Sequence, residues 1–507
     1  MTISPNFEQV SARQAKDRPY LLSSRLVSDL ETPVSAYLKL IAAFAGPSFL
    51  LESVEGGAVR GRYSMIGLAP DLIWRCQDGK AALNRQPENA PAAFAPCLEP
   101  PLEALRALIA ESAIPDFAGL PPMSAGVFGY LGYDMVREME HLPSDKPDPI
   151  GVPDALMIRP TVIAVFDAVK DEIVIVTPVR PASAGQERTA YESGVERLEA
   201  AIAAIDAPLP HDANARAPDA GTIAPSRSNT TEAEFRHMVA RAKEYILAGD
   251  IFQVVLSQRF ETPFALPPFA LYRALRRVNP SPFLSFLNFG DFQFVCSSPE
   301  ILVRVRDGKV TIRPIAGTRP RGATSHEDQA NADSLLADPK ERAEHLMLLD
   351  LGRNDAGRVS EIGSVTVTES FGLEYYSQVM HIVSNVEGKL DPAHDTIDAL
   401  VAGFPAGTVS GAPKVRAMQI IDEFEKHKRG PYAGCIGYFG ADGALDTCIV
   451  LRTAIVKDGV MHVQAGAGIV HDSDPASEQQ ECINKAKALF RAAEEAVRFA
   501  SRGGKGQ

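Results

Sequence analysis

The sequence predicts an α+β protein in which large antiparallel β-sheets form a sandwich core and helices pack outside it. One observation is a recurring hairpin signal, in which an Asp-Gly dipeptide separates two strand-like runs. Such dipeptides tolerate the positive φ angles that a tight hairpin needs. They occur at Asp78-Gly79, Asp307-Gly308, Asp442-Gly443 and Asp458-Gly459. A second observation is that these strands follow one another directly, which argues against alternating β-α-β units.

The N-terminal part opens with a helix and then turns to strands. Thr32-Pro33 is a helix start, with threonine as the cap and proline in the first turn, and Gly46-Pro47 ends the helical pattern. The run 48–53 then predicts a strand, and a second strand begins near Arg62 after a glycine-rich connection.

A linker is predicted over 207–229, where Pro, Ala, Asp and Ser dominate and no periodicity is visible. It separates an N-terminal part, 1–206, from a C-terminal part, 230–507. The second part begins with a capping box, Thr231 to Glu234, and continues into the strand IFQVVLSQRF. Its longer helices are predicted around 335–352, 395–403, 413–428 and 476–500.

Composition excludes several classes of protein. The net charge of −13 argues against a nucleic-acid or anionic-membrane surface. The six cysteines form no C-x-x-C pair, so neither a zinc site nor a disulfide framework is indicated. The N-terminus lacks the apolar core of a signal peptide, and no apolar run approaches the ~18 residues of a membrane span. We expect a cytoplasmic protein with reduced thiols.

The stretch 464–485 combines a glycine turn with a helix that carries two carboxylates. Small residues at 465–468 would let backbone N–H groups approach an anion. Glu478 and Glu481 fall on one face of the helix that follows, and Glu341 and Glu344 repeat this spacing upstream. The two pairs could hold one hard cation between them. The alternative is that both are solvated helix faces.

Nucleotide and hydrolase signatures are missing. The segment 407–414, GTVSGAPK, is not a P-loop, and its serine lies one place late for a nucleophile elbow. More distinctive are six segments in register: PIAGTRPRG (314–322), KERAEHLMLLDLGRNDAGRV (340–359), VMHIVSNVEG (379–388), FPAGTVSGAPKVRAM (404–418), GPYAGCIGY (430–438) and the stretch 464–485.

Together these segments resemble the chorismate-utilising enzymes over most of 227–500. LLESVEGGAVRGRYSMIG (50–67) and NPSPFLSFL (279–287) are similar to the large subunits of anthranilate synthases, which extends the resemblance over nearly the whole chain. The resemblance implies the chorismate-utilising fold. It also implies Mg²⁺ as the cofactor, with Glu344 and Glu481 as direct ligands and Glu341 and Glu478 acting through water.

The resemblance further implies the residues that bind chorismate, a dicarboxylate. Arg452 would contact the pyruvyl carboxylate in bidentate fashion, and Tyr432 would donate a hydroxyl hydrogen bond. The remaining contacts would come from Gly317, Thr318, Gly466, Ala467 and Gly468. The bland alternatives are a structural ion pair for Arg452 and an ordinary turn at 317–318.

Four residues are expected to serve the chemistry itself. His381 can act as acid or base near neutrality, and the family match ties it to loss of pyruvate. Thr408 would line the ring pocket, and Lys485 would neutralise carboxylate charge. Gln253 stands where isochorismate and salicylate synthases carry a lysine that activates water. An uncharged amide cannot be that base, whereas ammonia requires none.

The position of Ala316 separates two activities of the family. Aminodeoxychorismate synthases usually carry a nucleophilic lysine there, so that route is unavailable to this chain. We expect ammonia addition with loss of the hydroxyl group to give aminodeoxyisochorismate, followed by elimination of pyruvate to anthranilate. The alternatives are another chorismate aminase, either an aminodeoxyisochorismate or an aminodeoxychorismate synthase component I, or a non-catalytic tryptophan-binding relative.

Two further partners are expected. No glutaminase signature is visible, so a separate glutamine amidotransferase subunit would deliver ammonia from glutamine. The resemblance also implies feedback inhibition by tryptophan at Glu52, Ser53, Pro282, Phe283 and Leu284. Some relatives have Tyr-Met where this chain has Phe283-Leu284, and the alternative for 50–53 is an ordinary edge strand.

Overall fold

The structure is a computed structural model that describes residues 2–12, 18–55, 59–115, 117, 119–143, 146–180, 186–210, 222–376 and 379–501. The strands of this part of the chain are β1 Tyr20–Val27, β2 Ser48–Glu55, β3 Val59–Gln77, β4 Lys80–Asn84, β5 Ala95–Pro96, β6 Gly126–Leu131, β7 Ala155–Asp167, β8 Glu172–Val179, β9 Arg227–Ser228, β10 Gln253–Pro263, β11 Phe283–Asn288, β12 Phe292–Ser298, β13 Ile301–Arg306, β14 Lys309–Ile312, β15 Ile315–Pro320, β16 Thr366–Tyr375, β17 Val379–Lys389, β18 Gly411–Ala412, β19 Cys435–Gly440, β20 Leu445–Ile449, β21 Thr453–Lys457 and β22 Val460–Ile469. The helices are α1 Phe7–Ser11, α2 Pro33–Ala43, α3 Pro101–Ser112, α4 Glu187–Asp206, α5 Glu232–Leu247, α6 Pro268–Val278, α7 Ser325–Ala337, α8 Pro339–Gly357, α9 Thr396–Gly403, α10 Lys414–Phe424 and α11 Pro475–Ser501, with 3₁₀ turns at Tyr133–Glu138 and Gly407–Val409.

The described strands pair antiparallel and form one connected network, as predicted. From β7, one run of strands passes through β3, β2, β11, β12, β21 and β22 to β10. A second run passes from β7 through β6, β19, β20, β13 and β14 to β17. The two runs face each other. Strands β10, β22 and β17, at the ends of the runs, carry residues of the site described below.

An aromatic core lies between the two runs. Phe49 of β2 stacks on Phe128 of β6 with ring centroids 4.6 Å apart, and Phe128 contacts Tyr438 of β19 at 5.3 Å. Helices α2, α4, α6 and α11 pack on the outer face of the first run, where their buried residues share one apolar cluster with β10, β11 and β22. The predicted sandwich core with outer helices is therefore confirmed.

The hairpins and helix caps that local sequence signals predict are present. All the Asp-Gly dipeptides lie at hairpin turns, and each of the glycines has a positive φ, for example +71° at Gly308. Thr32 caps α2 in a capping box with Ser35, and Thr231 caps α5 in one with Glu234.

Two predicted helices have different bounds. The helix expected at 335–352 is two helices, because Asp338 accepts backbone hydrogen bonds from 340 and 341 and caps a new helix at Pro339. The helix expected at 413–428 ends at Phe424, since Glu425 turns to extended backbone and its carboxylate binds Arg429. Within the described residues, no helix has both the length and the apolar content of a membrane span.

The boundary between the predicted parts stays a prediction. Of the linker 207–229, residues 211–221 lie outside the described residues, and β9 is part of its remainder. Strands from the two sides of the linker pair directly, β2 with β11 and β6 with β19.

Candidate active site

The glycine-bearing strand β22 has one open edge. It pairs with β10 along its whole length, but with β21 only as far as Val463. The two strands part at Arg452, just before β21, where the backbone has a φ of +46°. Beyond that point, residues 464–469 have no partner strand on this edge within the described chain. Backbone N–H groups directed to this edge are available to an anion beside the Arg452 side chain.

The predicted substrate contacts Tyr432 and Gly466 lie together at this edge. A side chain on Gly466 would come within 2.8 Å of the Tyr432 hydroxyl, so glycine is required for this approach. The carbonyl oxygen of Gly466 accepts a hydrogen bond from Lys485 Nζ at 3.0 Å. Ala467 is buried against the core, with its side chain on the opposite face of the strand.

Arg452 is an unpaired cation in this pocket. No carboxylate of the described residues lies within ion-pair distance, and its side chain makes no hydrogen bond with them. Burial lowers the pKa of the guanidinium, and the nearest groups that raise it are Tyr376 and Glu300. The structural ion pair considered as an alternative is absent from the described chain, which leaves Arg452 available to a carboxylate of the substrate.

His381 is held as a neutral imidazole. Its Nδ1 lies 2.9 Å from the carbonyl oxygen of Gly317, which only accepts, so Nδ1 carries the proton. Thr318 Oγ1 lies 3.1 Å from the same nitrogen. Burial, assisted by the charges of Arg452 and Lys485, lowers the pKa of His381 to about 4. The other nitrogen, Nε2, finds no partner among the described residues and can accept a proton.

Glu300 is a buried carboxyl group at the pocket that the sequence did not reveal as a candidate. It follows β12 in the segment SSPE and is buried, with Thr408 Oγ1 donating a hydrogen bond to its Oε1 at 3.0 Å. Burial raises the pKa of Glu300 to about 8, against the lowering effects of Thr408, Arg452 and Lys485. The carboxyl group therefore carries a proton at neutral pH. The only sequence signal is a carboxylate between two apolar strands, which does not reveal its burial.

Four carboxylates form the rim of the pocket. Burial raises the pKa of Glu344, and repulsion from Glu341 and Glu481 adds to this. Glu478 likewise has a raised pKa from burial, with Glu481 contributing. Glu481 lies 2.7 Å from Lys485 Nζ, and both side chains are almost half exposed, at 47% and 46%.

Carboxylate oxygens, such as those of these four residues, are ligands that a magnesium ion prefers. Within the described chain, no group of three or more His, Cys, Asp or Glu side chains is arranged to hold a metal ion. Mg²⁺, however, usually takes one or two protein carboxylates and completes its shell with water and substrate oxygens. A cation between Glu344 and Glu481 would relieve the repulsion that raises the pKa of Glu344. Glu341 is already paired with Arg319 at 3.0 Å.

Gln253 and Thr408 are both brought to the pocket. A side chain on Gly468 would come within 2.6 Å of Gln253 Nε2 and within 4.0 Å of Glu344 Oε1, so the amide lies between the strand and the rim. Gln253 Oε1 is buried without a partner among the described residues. Thr408 was expected to line the ring pocket, and the structure adds its hydrogen bond to Glu300.

The residues expected to bind tryptophan lie together on strands β2 and β11 and in the turn before β11. In the β2–β11 ladder, Glu52 is opposite Leu284 and Ser53 is opposite Phe283, next to Pro282. Since β2 also pairs with β3, the segment 50–53 is not an edge strand. The Glu52 carboxylate is engaged by Arg276 at 2.8 Å and by the Tyr272 hydroxyl at 2.5 Å, two contacts that the sequence did not indicate.

Comparisons with known proteins show the family of this chain. The family model described as chorismate binding enzyme matches residues 60–491. The chain is 54% identical over 501 residues to a protein named anthranilate synthase component 1 from Cereibacter sphaeroides, covering 99% of this chain and 100% of the relative. It is 48% identical to the protein of that name from Thermus thermophilus, covering 94% of this chain and 98% of the relative.

Solved structures show the same fold. The crystal structure of anthranilate synthase component I from Streptococcus pneumoniae matches with a TM-score of 0.73 and 38% identity, covering 85% of this chain and 92% of that one. The menaquinone-specific isochorismate synthase of Escherichia coli matches with a TM-score of 0.69 at 20% identity, covering 94% and 95%, which shows the fold alone. The chain therefore belongs to the chorismate-binding enzyme family and, within it, to the anthranilate synthase component 1 proteins.

Proposed function

We propose that this chain converts chorismate and ammonia into anthranilate and pyruvate as an Mg²⁺-dependent lyase, the first step of tryptophan biosynthesis. The observation that carries the proposal is a pair of groups with opposed pKa shifts in one pocket. Glu300 is a protonated carboxyl and His381 is a neutral imidazole, and both interact with Arg452 and Lys485. Groups whose environments push their pKa values apart are suited to be acid and base of one reaction.

In the first half-reaction, Glu300 protonates the departing ring hydroxyl. The carbon–oxygen bond breaks as ammonia bonds to the ring carbon beside the carboxylate-bearing carbon, and the hydroxyl leaves as water. The new ammonium group then releases one proton to solvent and becomes the amine of aminodeoxyisochorismate. Gln253 lies in the pocket beside Gly468. Its neutral amide cannot act as the base that activates water, so ammonia is the nucleophile.

In the second half-reaction, His381 takes a proton from the amine-bearing ring carbon through Nε2. The bond between the ring and the enolpyruvyl oxygen breaks, the enolate of pyruvate leaves and the ring becomes aromatic. The proton held by His381 then goes to the methylene carbon of this enolate, which gives pyruvate and returns His381 to its neutral state. The Nδ1–H bond to Gly317 fixes the orientation of the imidazole for this transfer. Arg452 and the open edge of β22 hold the carboxylate of the departing group.

The cofactor proposed for the rim is Mg²⁺, held by Glu344 and Glu481, with Glu341 and Glu478 contributing through water. When bound, the ion supplies positive charge to the ring carboxylate of the substrate. Lys485 lies between Glu481 and Gly466, and so orients a carboxylate of the rim relative to the substrate-binding strand.

Ammonia is proposed to come from a glutamine amidotransferase subunit, and the complex is proposed to be cytoplasmic.

Tryptophan is proposed as a feedback inhibitor that binds between β2 and β11. Because Arg276 already neutralises Glu52, the effector would have to share that carboxylate. Inhibition that persists unchanged in Ser53→Phe, which places a bulky side chain at the ladder, would rule out this location.

The test is an assay of the purified chain with chorismate, Mg²⁺ and an ammonium salt, followed by anthranilate fluorescence. Wild type should form anthranilate, and His381→Ala should consume chorismate but accumulate the amino intermediate. Accumulation of that intermediate by wild type would instead favour the other chorismate aminases. No consumption of chorismate by wild type would refute the proposed function.

A further inference from the structure

A small cavity borders Glu300. Its volume is about 30 Å³, and its lining includes four polar side chains, those of Glu300, Thr408, Arg313 and Asp355, among mostly apolar residues. A cavity of this size has room for about two water molecules, which these polar groups could hydrogen-bond. The cavity joins two buried carboxyl groups on different elements, one after β12 and the other on α8.

Asp355 is a buried acid that the reaction described above does not use. It is 4% exposed, and its Oδ2 accepts a hydrogen bond from Lys414 Nζ at 2.9 Å. Its other oxygen, Oδ1, makes no hydrogen bond with the described residues. Burial also raises the pKa of Asp355, which favours a carboxyl that takes up and releases a proton.

The chemistry requires a proton to return to Glu300 in every turnover. Glu300 is buried, and during the reaction the substrate occupies the pocket in front of it. Thr408 lines the cavity and donates its hydroxyl hydrogen to Glu300 Oε1, so its hydroxyl oxygen could accept a hydrogen bond from a water molecule in the cavity. Arg313, whose side chain is 26% exposed, also lines the cavity and links it to the protein surface.

We propose that this cavity is a proton route through which Asp355 and intervening water return a solvent proton to Glu300. The proposal rests on the function proposed above. In each transfer the O–H bond of the donor breaks as an O–H bond to the acceptor forms. One proton enters the route from solvent in each turnover. The ammonium group formed in the pocket releases one proton, so the balance needs no further reactant. Asp355 does not touch the substrate and acts through Glu300.

Asp355→Asn tests the route, because the carboxamide keeps the size of the side chain but cannot relay a proton. Rapid-mixing assays with ammonium salt should show an unchanged rate for the first turnover, since Glu300 starts protonated. Steady-state kcat should fall about tenfold or more, with kcat/KM for chorismate little changed, because the slow step follows the first turnover. Formate added as a small proton donor should restore part of the loss. Asp350→Asn, at an exposed aspartate on the same helix, is the matched control.

Gly352→Ala provides a second variant that leaves Asp355 intact. Its added methyl would lie 3.4 Å from Ile312 Cγ2, an ordinary contact inside the cavity lining, and alanine favours the helix. It should displace water and also slow only the steady state. Gly357→Ala, whose methyl would meet nothing within 4 Å, is its control.

Equal losses in the first turnover and the steady state would overturn the route, as would an unchanged kcat in both variants. Absence of anthranilate formation by wild type would instead overturn the proposed function.

Discussion

The inner wall of the pocket and its rim are built differently. On the inner wall, Glu300 and His381 are buried, and each is fixed by a hydrogen bond to the protein. On the rim, Glu481 has one cationic partner, Lys485, and both are almost half exposed. Burial shifts the pKa values of the inner groups far from their ordinary range, whereas Glu481 and Lys485 on the rim remain in contact with solvent.

This difference shows which part of the site is formed in advance. The inner wall has its protonation states and hydrogen bonds in place without any ligand. The rim contains carboxylates that repel one another, and the Mg²⁺ proposed for this place would relieve that repulsion. Variants of the inner wall should therefore lose activity at every Mg²⁺ concentration, whereas variants of the rim should recover part of their activity as the Mg²⁺ concentration is raised.

The largest expected effect is that of Glu300→Gln. The amide cannot protonate the departing hydroxyl, so kcat should fall by about a thousandfold or more, and added Mg²⁺ should not restore it. The variant should be as stable as wild type or more so at pH 8. The folded-state pKa of Glu300 is raised to about 8, above the ordinary pKa of a glutamate. The free energy of unfolding of the wild type therefore decreases as pH rises from that ordinary pKa to about 8, and the variant lacks this loss.

Thermal unfolding at pH 5 and pH 8 checks the stability of this variant, and stopped-flow chorismate consumption checks its rate. A Glu300→Gln enzyme with near-normal turnover would remove the acid role.

Glu481→Gln should lower activity about a hundredfold, because a rim ligand loses its charge. Raising the Mg²⁺ concentration should recover part of the activity, which distinguishes the rim from the inner wall. Glu478→Gln, one helical turn earlier, is the matched variant and should lose less. Magnesium titration of both variants is the measurement. Equal losses without response to Mg²⁺ would contradict the ligand assignment.

Arg452→Lys should raise KM for chorismate about tenfold, with a smaller change in kcat. Lysine keeps the charge but loses the planar bidentate contact that suits a carboxylate. Steady-state kinetics at saturating ammonium separate the two constants. If KM stays at the wild-type value, the carboxylate does not bind there.

The smallest effect is expected from pH. As pH rises above about 8, Glu300 of the free enzyme loses its proton, and kcat/KM for chorismate should fall about twofold between about pH 8 and about pH 8.5. His381 has a pKa of about 4 and stays neutral above about pH 6, so it adds no step there. A pH profile of kcat/KM between 6 and 9 measures this, and a flat profile through pH 9 would contradict the acid assignment.

Elements with local causes were predicted well. The Asp-Gly hairpins and the caps at Thr32 and Thr231 depend on residues within four positions of each other, and all formed. The helix bounds near Asp338 and Phe424 were less accurate, because a cap and an ion pair compete there with helical periodicity.

The sequence by itself determined the hairpins and the caps, and its family resemblance predicted residues on β22 and at the rim. Only the tertiary structure decided that burial raises the pKa of Glu300, that burial lowers the pKa of His381 and that Arg452 has no ion-pair partner among the described residues. The physical reason is that a pKa shift depends on which groups pack over a side chain. Glu300 lies against Thr408, a hundred residues later in the chain, and no local pattern encodes that contact.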